Sequence, residues 1–272
     1  MRLLSIFTLI NCKKAGAIFI FALGCAQYVN AADNAVDSIM SKGELRVCWA
    51  EDNPYSYKDP ATGKWEGFDH DMAVDLASAM EVKLVDVDST FKTIIASVKN
   101  HECDIGGAAL FDTMKRAEVV LFSDPLSYET SGAFVKNDSP YKTYADLDQK
   151  GKVLISKTGS ASGDFAKRFF KNAEIRFVAS DNSSVDAAEV ANGRADAWWV
   201  SYTSTSRMLQ QNKQFGMRPL GEKPLDRVGI VWAVDLNEYH LQQVINIWLR
   251  GQLNSGRTAE LWKKWFGTDY IQ

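Results

Sequence analysis

From residue 44 onward, short runs rich in β-branched and apolar residues alternate with stretches whose apolar positions recur at helical spacing. The pattern predicts strands over 44–49, 83–87 and 104–109, separated by helices over 68–80 and 91–100. In the first of these helices Met72, Leu76, Ala79 and Met80 share one face, and Asp69 stands where it can cap the start. Strand, helix, strand, helix, strand is the order of a parallel sheet covered by helices.

After Pro125 the alternation restarts, with strands over 152–156, 175–179 and 195–200 and helices over 162–171, 184–192 and about 203–212. Ser183-x-x-Asp186 resembles a capping box, and Gly193 suits the left-handed residue after a helix. The chain closes with a strand over 229–234, a helix over 237–253 and a short helix over 258–266. Leu241, Val244, Ile245, Trp248 and Leu249 line one face of the long helix, and Trp248, Trp262 and Trp265 read as core and packing surface. The two α/β units share a plan but no residue-level repeat.

The N-terminus has a different pattern. Arg2, Lys13 and Lys14 precede an apolar run over 15–26, the length of a signal-peptide core and short for a membrane span. Val29-Asn30-Ala31 then places small residues for signal peptidase, so 1–31 is expected to be a cleaved signal peptide. An uncleaved anchor would want a longer apolar core. Ala22-Leu23-Gly24-Cys25 faintly suggests lipidation, but its leucine stands one place too near the cysteine. No later stretch is apolar enough to span a bilayer.

With 272 residues, 46% of them hydrophobic, the chain can fill two domain cores. Its formal charge is −3, becoming −6 without Arg2, Lys13 and Lys14, because the leader holds no acid. This near balance without a basic block argues against nucleic-acid binding. Three histidines and four cysteines form no spaced metal cluster, so neither metal nor cofactor is expected. Export would leave Cys48 and Cys103 in an oxidising compartment, where they could pair. The alternative, favoured here, is that each is a small buried hydrophobe in its own strand.

Several short stretches carry a resemblance. They are Gly43-Glu-Leu-Arg-Val, Asn53-Pro-Tyr-Ser-Tyr, Gly67-Phe-Asp-His-Asp-Met, Cys103-Asp-Ile-Gly-Gly and Thr113-Met-Lys-Arg116, then Phe122-Ser-Asp-Pro125, Asn192-Gly-Arg-Ala-Asp196 and Trp262-Lys-Lys-Trp-Phe-Gly267. In order and spacing they resemble family 3 of the extracellular solute-binding proteins, which serve polar amino-acid ABC importers. The resemblance implies a type II periplasmic-binding-protein-like α/β fold of two lobes, each a mostly parallel sheet flanked by helices. Lobe 1 would be 32–126 plus 228–272 and lobe 2 would be 131–223, joined by crossings at 127–130 and 224–227. Ligand would sit between them, as open α/β sheets favour, and hinge closure would capture it.

By the same resemblance, Arg116 would grip a ligand carboxylate with its guanidinium fork, a geometry that lysine lacks. Ala108 and Ala109 would offer main-chain groups, and Phe111 stands where the family often has a hydroxyl. Ser160 and Ala161 match ligand contacts at a helix start, where free N–H groups favour an anion. The family's ammonium-binding aspartate falls at or next to Ser201, so Glu51 or Asp52 would have to supply that charge, or the ligand is not a standard α-amino acid. Phe91, Trp49 and Tyr55 would be aromatic walls, with one of Trp198 and Trp199 added, since strand alternation turns only one of those two to a given side.

The expected function is a non-catalytic, monomeric periplasmic receptor that passes an amino acid or related small carboxylate to an inner-membrane ABC permease. An alternative is an enzyme on the same fold resembling the cyclohexadienyl dehydratases, with Glu51 or Glu129 as proton donor. A sensor with the same cleft is a third possibility, since fold alone does not separate these. Against catalysis stand the lack of a G-x-S-x-G motif, of a metal-ligand set and of a P-loop around Lys157-Thr-Gly-Ser.

Overall fold

The computed structural model describes residues 34–179 and 182–270, so the expected signal peptide over 1–31 and Cys25 lie outside the described residues. The first α/β unit comprises α1 (Ala35–Lys42), β1 (Glu44–Trp49), β2 (Tyr57–Lys58), β3 (Trp65–Glu66), α2 (Phe68–Ala79), β4 (Lys83–Asp88), α3 (Ile94–Lys99), β5 (Ile105–Phe111), α4 (Met114–Ala117) and β6 (Val120–Phe122). The second comprises β7 (Ser127–Lys136), α5 (Tyr144–Leu147), β8 (Val153–Lys157), α6 (Ala161–Phe169), β9 (Glu174–Val178), α7 (Ser183–Ala191), β10 (Ala197–Ser201), α8 (Tyr202–Gln211) and β11 (Met217–Pro219). β12 (Leu225–Asp235), α9 (Tyr239–Ser255) and α10 (Arg257–Phe266) return to the first unit.

The fold is the two-lobed type II arrangement. Among the described residues the strands run β4-β1-β5-β12-β7-β10-β8-β9, with β6 beside β12 and β11 beside β7. β1 is parallel to β4 and β5, and β8 is parallel to β9 and β10, which are the two βαβ cores. The long strands β7 and β12 are antiparallel to each other, with Glu129 opposite Val228 and Tyr128 opposite Gly229. Beyond that ladder they part: β7 pairs with β10, and β12 pairs with β5 and β6. Each strand therefore belongs to both halves of the sheet. No helix among the described residues is long and apolar enough to cross a membrane.

Cys48 and Cys103 form a disulfide with Cα atoms 5.7 Å apart, which corrects the expectation of two separate thiols. β1 and β5 are adjacent and parallel, with Cys48 opposite Gly106, and this brings the turn before β5 against Cys48. Arg46 fastens the same turn through Asp104 at 2.6 Å and the carbonyl of His101 at 2.8 Å.

Two tight contacts shape the floor of the first half. Gly107 lies under the Trp49 ring, where a Cβ would come within 2.3 Å of the indole. Ala108 and Ala109 then adopt φ of 80° and 48°, unusual for non-glycine residues. The buried Asp69 carboxylate holds this kink by accepting the Ala109 N–H at 2.7 Å. The helix predicted over 91–100 starts later, at Ile94. Thr90 and Thr93 exchange side-chain and backbone hydrogen bonds, which favours a turn over a helix and leaves Phe91 on a loop.

Candidate functional site

A cavity between the two halves is lined by residues from both. The first half supplies Asp52, Phe91, Ala109, Phe111 and Arg116; the second supplies Ser156, Lys157, Ser160, Ala161, Ser162, Ser183, Val200 and Ser201. All of them lie at or just beyond strand ends or helix starts, where an open α/β sheet exposes main-chain groups.

Arg116 sits on the short α4, whose cap Thr113 accepts the Arg116 backbone N–H. Its guanidinium donates to the carbonyl of Phe111 at 3.1 Å and, across the cavity, to the carbonyl of Gly159 at 3.2 Å. Burial lowers its pKa to about 10, opposed by the negative charge of Asp164, so it remains a cation at neutral pH.

Opposite lies the start of α6. Ser160 caps it by accepting from the Gly163 N–H, while its own hydroxyl donates to the Lys157 carbonyl at 2.8 Å. The Lys157 side chain turns into the cavity, where Nζ donates to the Glu51 carbonyl at 2.9 Å and the Ser183 hydroxyl at 3.2 Å. It also lies over the Phe91 ring at 5.9 Å. Ser201 ends β10 and precedes α8, but its side chain does not cap that helix. Glu129 does so from β7, accepting the N–H groups of Thr203 at 3.0 Å and Ser204 at 3.4 Å.

Two buried acids, Asp69 and Glu129, and the half-buried Asp52 lie around this region. Burial raises Asp52 to about 6, against the pull of the Lys157 charge and a Ser204 hydrogen bond. Burial likewise raises Glu129 to about 7 and Asp69 to about 7, although backbone N–H groups oppose it at both. An acid whose folded pKa is raised is penalised on ionising, so its contribution is most favourable below its unfolded pKa of about 4 and is lost as pH climbs to the folded value. For Glu129, going from 4.5 to about 7 amounts to roughly 3 kcal/mol. The melting temperature should therefore fall between about pH 4 and pH 7, and Glu129→Gln should flatten that slope. The slope is the measurement, because glutamine also caps α8 less well. An unchanged slope would mean that Glu129 ionises freely in the fold.

Of the residues predicted to bind ligand, Phe91, Ala109, Phe111, Arg116, Ser160, Ala161 and Ser201 line this one cavity. Trp49 does not. It is fully buried, its indole N–H donating to Asp86 at 2.8 Å and its ring lying near Trp65 and His70. Tyr55 is likewise buried among Phe68, Trp262 and Phe266, its hydroxyl pointing at Glu129. Ala108 packs under the kink with Cys48 and Ile94. Neither Trp198 nor Trp199 reaches the cavity: alternation sends them to opposite faces of β10, and each face has its own core.

Lys157, Ser156, Ser162, Ser183 and Val200 join the cavity without having been anticipated. Lys157 was legible in principle, because a lysine ending an apolar strand before a glycine-containing loop is seldom buried without a charge to meet. Among the described residues no group of three or more histidine, cysteine or acidic side chains could hold a metal ion.

Comparison with known proteins agrees with the fold. The profile of the bacterial extracellular solute-binding proteins, family 3, matches residues 45–268. The glutamine-binding protein of an ABC transporter from Bacillus subtilis is 27% identical over 220 residues, covering 79% of this chain and 78% of that protein. A cyclohexadienyl dehydratase from Pseudomonas aeruginosa is 28% identical over 183 residues, covering 66% of this chain and 67% of the enzyme. The crystal structure of an ancestral amino acid-binding protein, a precursor of cyclohexadienyl dehydratase, superposes with a TM-score of 0.77 at 29% identity, covering 85% of this chain and 99% of that one. With nearly all the described residues inside the family profile, this chain belongs to family 3 of the bacterial extracellular solute-binding proteins.

Proposed function

We propose that this chain is the periplasmic substrate-binding component of an ABC importer, holding an amino acid or related small carboxylate in the cavity between its lobes. One observation carries the reading most: Arg116 faces the start of α6 across the cavity, already within 3.2 Å of the Gly159 carbonyl. A guanidinium fork opposite free helical N–H groups is a two-sided receptor for a carboxylate. The lobes would be 32–126 plus 228–272 and 131–223, with hinges at 127–130 and 224–227, where β7 and β12 run side by side. The Cys48–Cys103 disulfide suits an exported protein, and an inner-membrane permease would receive the solute from a monomer.

A thermal-shift panel of amino acids, opines, betaines and organic acids tests the reading directly. No stabilising solute in such a panel would count against it. Closure is tested at Gly159, which has φ of 79°, and where a Cβ would lie 2.8 Å from the Lys92 Cα and 2.9 Å from the Phe91 carbonyl oxygen. Gly159→Ala should weaken solute binding by about tenfold or more, roughly 1.4 kcal/mol. Its left-handed strain should lower the melting temperature of the free protein by only about 2–8 °C. Unaltered affinity would mean that the halves need not meet at this loop.

A second reading rests on Asp52, a cavity acid whose pKa of about 6 would suit a proton donor. Of the two glutamates first considered for that role, Glu129 is occupied in capping α8. Incubation with prephenate separates the readings: an aromatic product supports a dehydratase, and unchanged prephenate supports the receptor.

A further inference from the structure

The cavity holds two cations from opposite halves; Asp52 feels the charge of Lys157 and Asp164 that of Arg116, but neither cation closes an ion pair among the described residues. Lys157 is only 7% exposed, yet its ammonium donates to a carbonyl and a hydroxyl. Arg116 donates to two carbonyls. Among the described residues no carboxylate comes within the 4.0 Å ion-pair distance of either. A buried ammonium with neutral partners is costly, and a lysine at such a position is best explained by an anion that arrives from outside.

The rest of the lining points the same way. The Ser201 hydroxyl can turn its proton toward an anion, and the start of α6, capped by Ser160, adds its N–H dipoles. At the end of β10 the lining offers the neutral hydroxyl of Ser201, with no charge to hold an ammonium. Asp52 is the one acid in the lining, and the two cations Arg116 and Lys157 outnumber it. A cationic amino acid would bring its side-chain charge up against Lys157 or Arg116, which a low-dielectric cavity penalises heavily.

Building on the receptor reading above, we propose that this cavity takes a small solute carrying two anionic groups and no ammonium, of the dicarboxylate class, with Arg116 on one group and Lys157 on the other. Short dicarboxylates place their charges at the two ends of a two- or three-carbon chain, so one molecule can meet both halves at once and hold them together. Binding then needs both lobes, as hinge capture requires.

The test is calorimetry and thermal shift on the purified protein with succinate, glutarate, glutamate, glutamine and arginine at one ionic strength. Succinate or glutarate should bind at least a hundredfold tighter than glutamine or arginine, and glutarate tighter than glutamate. Lys157→Gln should cost the dicarboxylate at least tenfold while leaving circular dichroism unchanged, and Ser201→Asp should shift preference toward glutamine. Glutamate outranking glutarate, or any neutral or cationic amino acid outranking both dicarboxylates, overturns the inference and leaves the receptor reading standing. Absence of binding by all five, and by the wider panel, overturns both. The ranking on the unaltered protein decides the matter even if the lysine variant fails to fold.

Discussion

Replacing Arg116 by alanine should abolish measurable carboxylate binding while the protein stays folded. The guanidinium makes no ion pair among the described residues and holds only the carbonyls of Phe111 and Gly159, so the fold loses little when it goes. A bound carboxylate loses much more, because it is left desolvated with its principal counter-charge gone. Truncating one member of a buried charge pair costs about 2–5 kcal/mol, roughly a 30- to 5,000-fold loss of affinity. Arg116→Lys should fall between the two, because a lysine restores the charge but not the fork or the reach to both carbonyls. Calorimetry with the best carboxylate from the solute panel, paired with a thermal melt, checks both variants. Alanine binding as tightly as arginine would remove the basis of the proposed site.

What could be read from the sequence alone follows a physical line. Positions that the family resemblance carries along the chain were legible: Arg116, Ser160, Ala161 and Ser201, matched by motif, all stand at strand ends or helix starts that line the cavity. Positions fixed by side-chain direction were not. Trp49 and Tyr55 lie close in sequence to Asp52, but the loop bridged by Asp52 and Ser56 turns the acid toward the cavity and buries the rings. The Trp49 ring instead covers Gly107, a glycine on the adjacent strand β5 that lies too far along the chain for sequence periodicity to link to it. The long strands β7 and β12 were underestimated for a related reason. Each changes partners along its length, so neither keeps the single alternating pattern that marks an ordinary strand.

Removing the disulfide should be the largest single loss of stability. The bridge closes a loop of 55 residues between Cys48 and Cys103. On the chain-entropy account, such a loop stabilises the fold by about 4 kcal/mol, by restricting the unfolded chain. For a domain of this size that corresponds to a melting temperature lower by roughly 8–16 °C in a Cys48→Ala, Cys103→Ala double variant. Alanine is the suitable replacement, since both sulfurs are buried among Ile94, Val98 and Ala108 and a serine would bury an unpaired hydroxyl. The loop spans β2, β3, α2, β4 and α3, and Phe91 packs against the same cluster. The variant should therefore keep its ligand preference but bind more weakly, because the aromatic wall is less firmly held. Peptide mapping after thiol alkylation gives the independent check. Labelling of Cys48 and Cys103 in the unreduced protein, or a melt that reductant leaves in place, would show that β1 and the turn before β5 are held by packing and the Arg46–Asp104 pair instead.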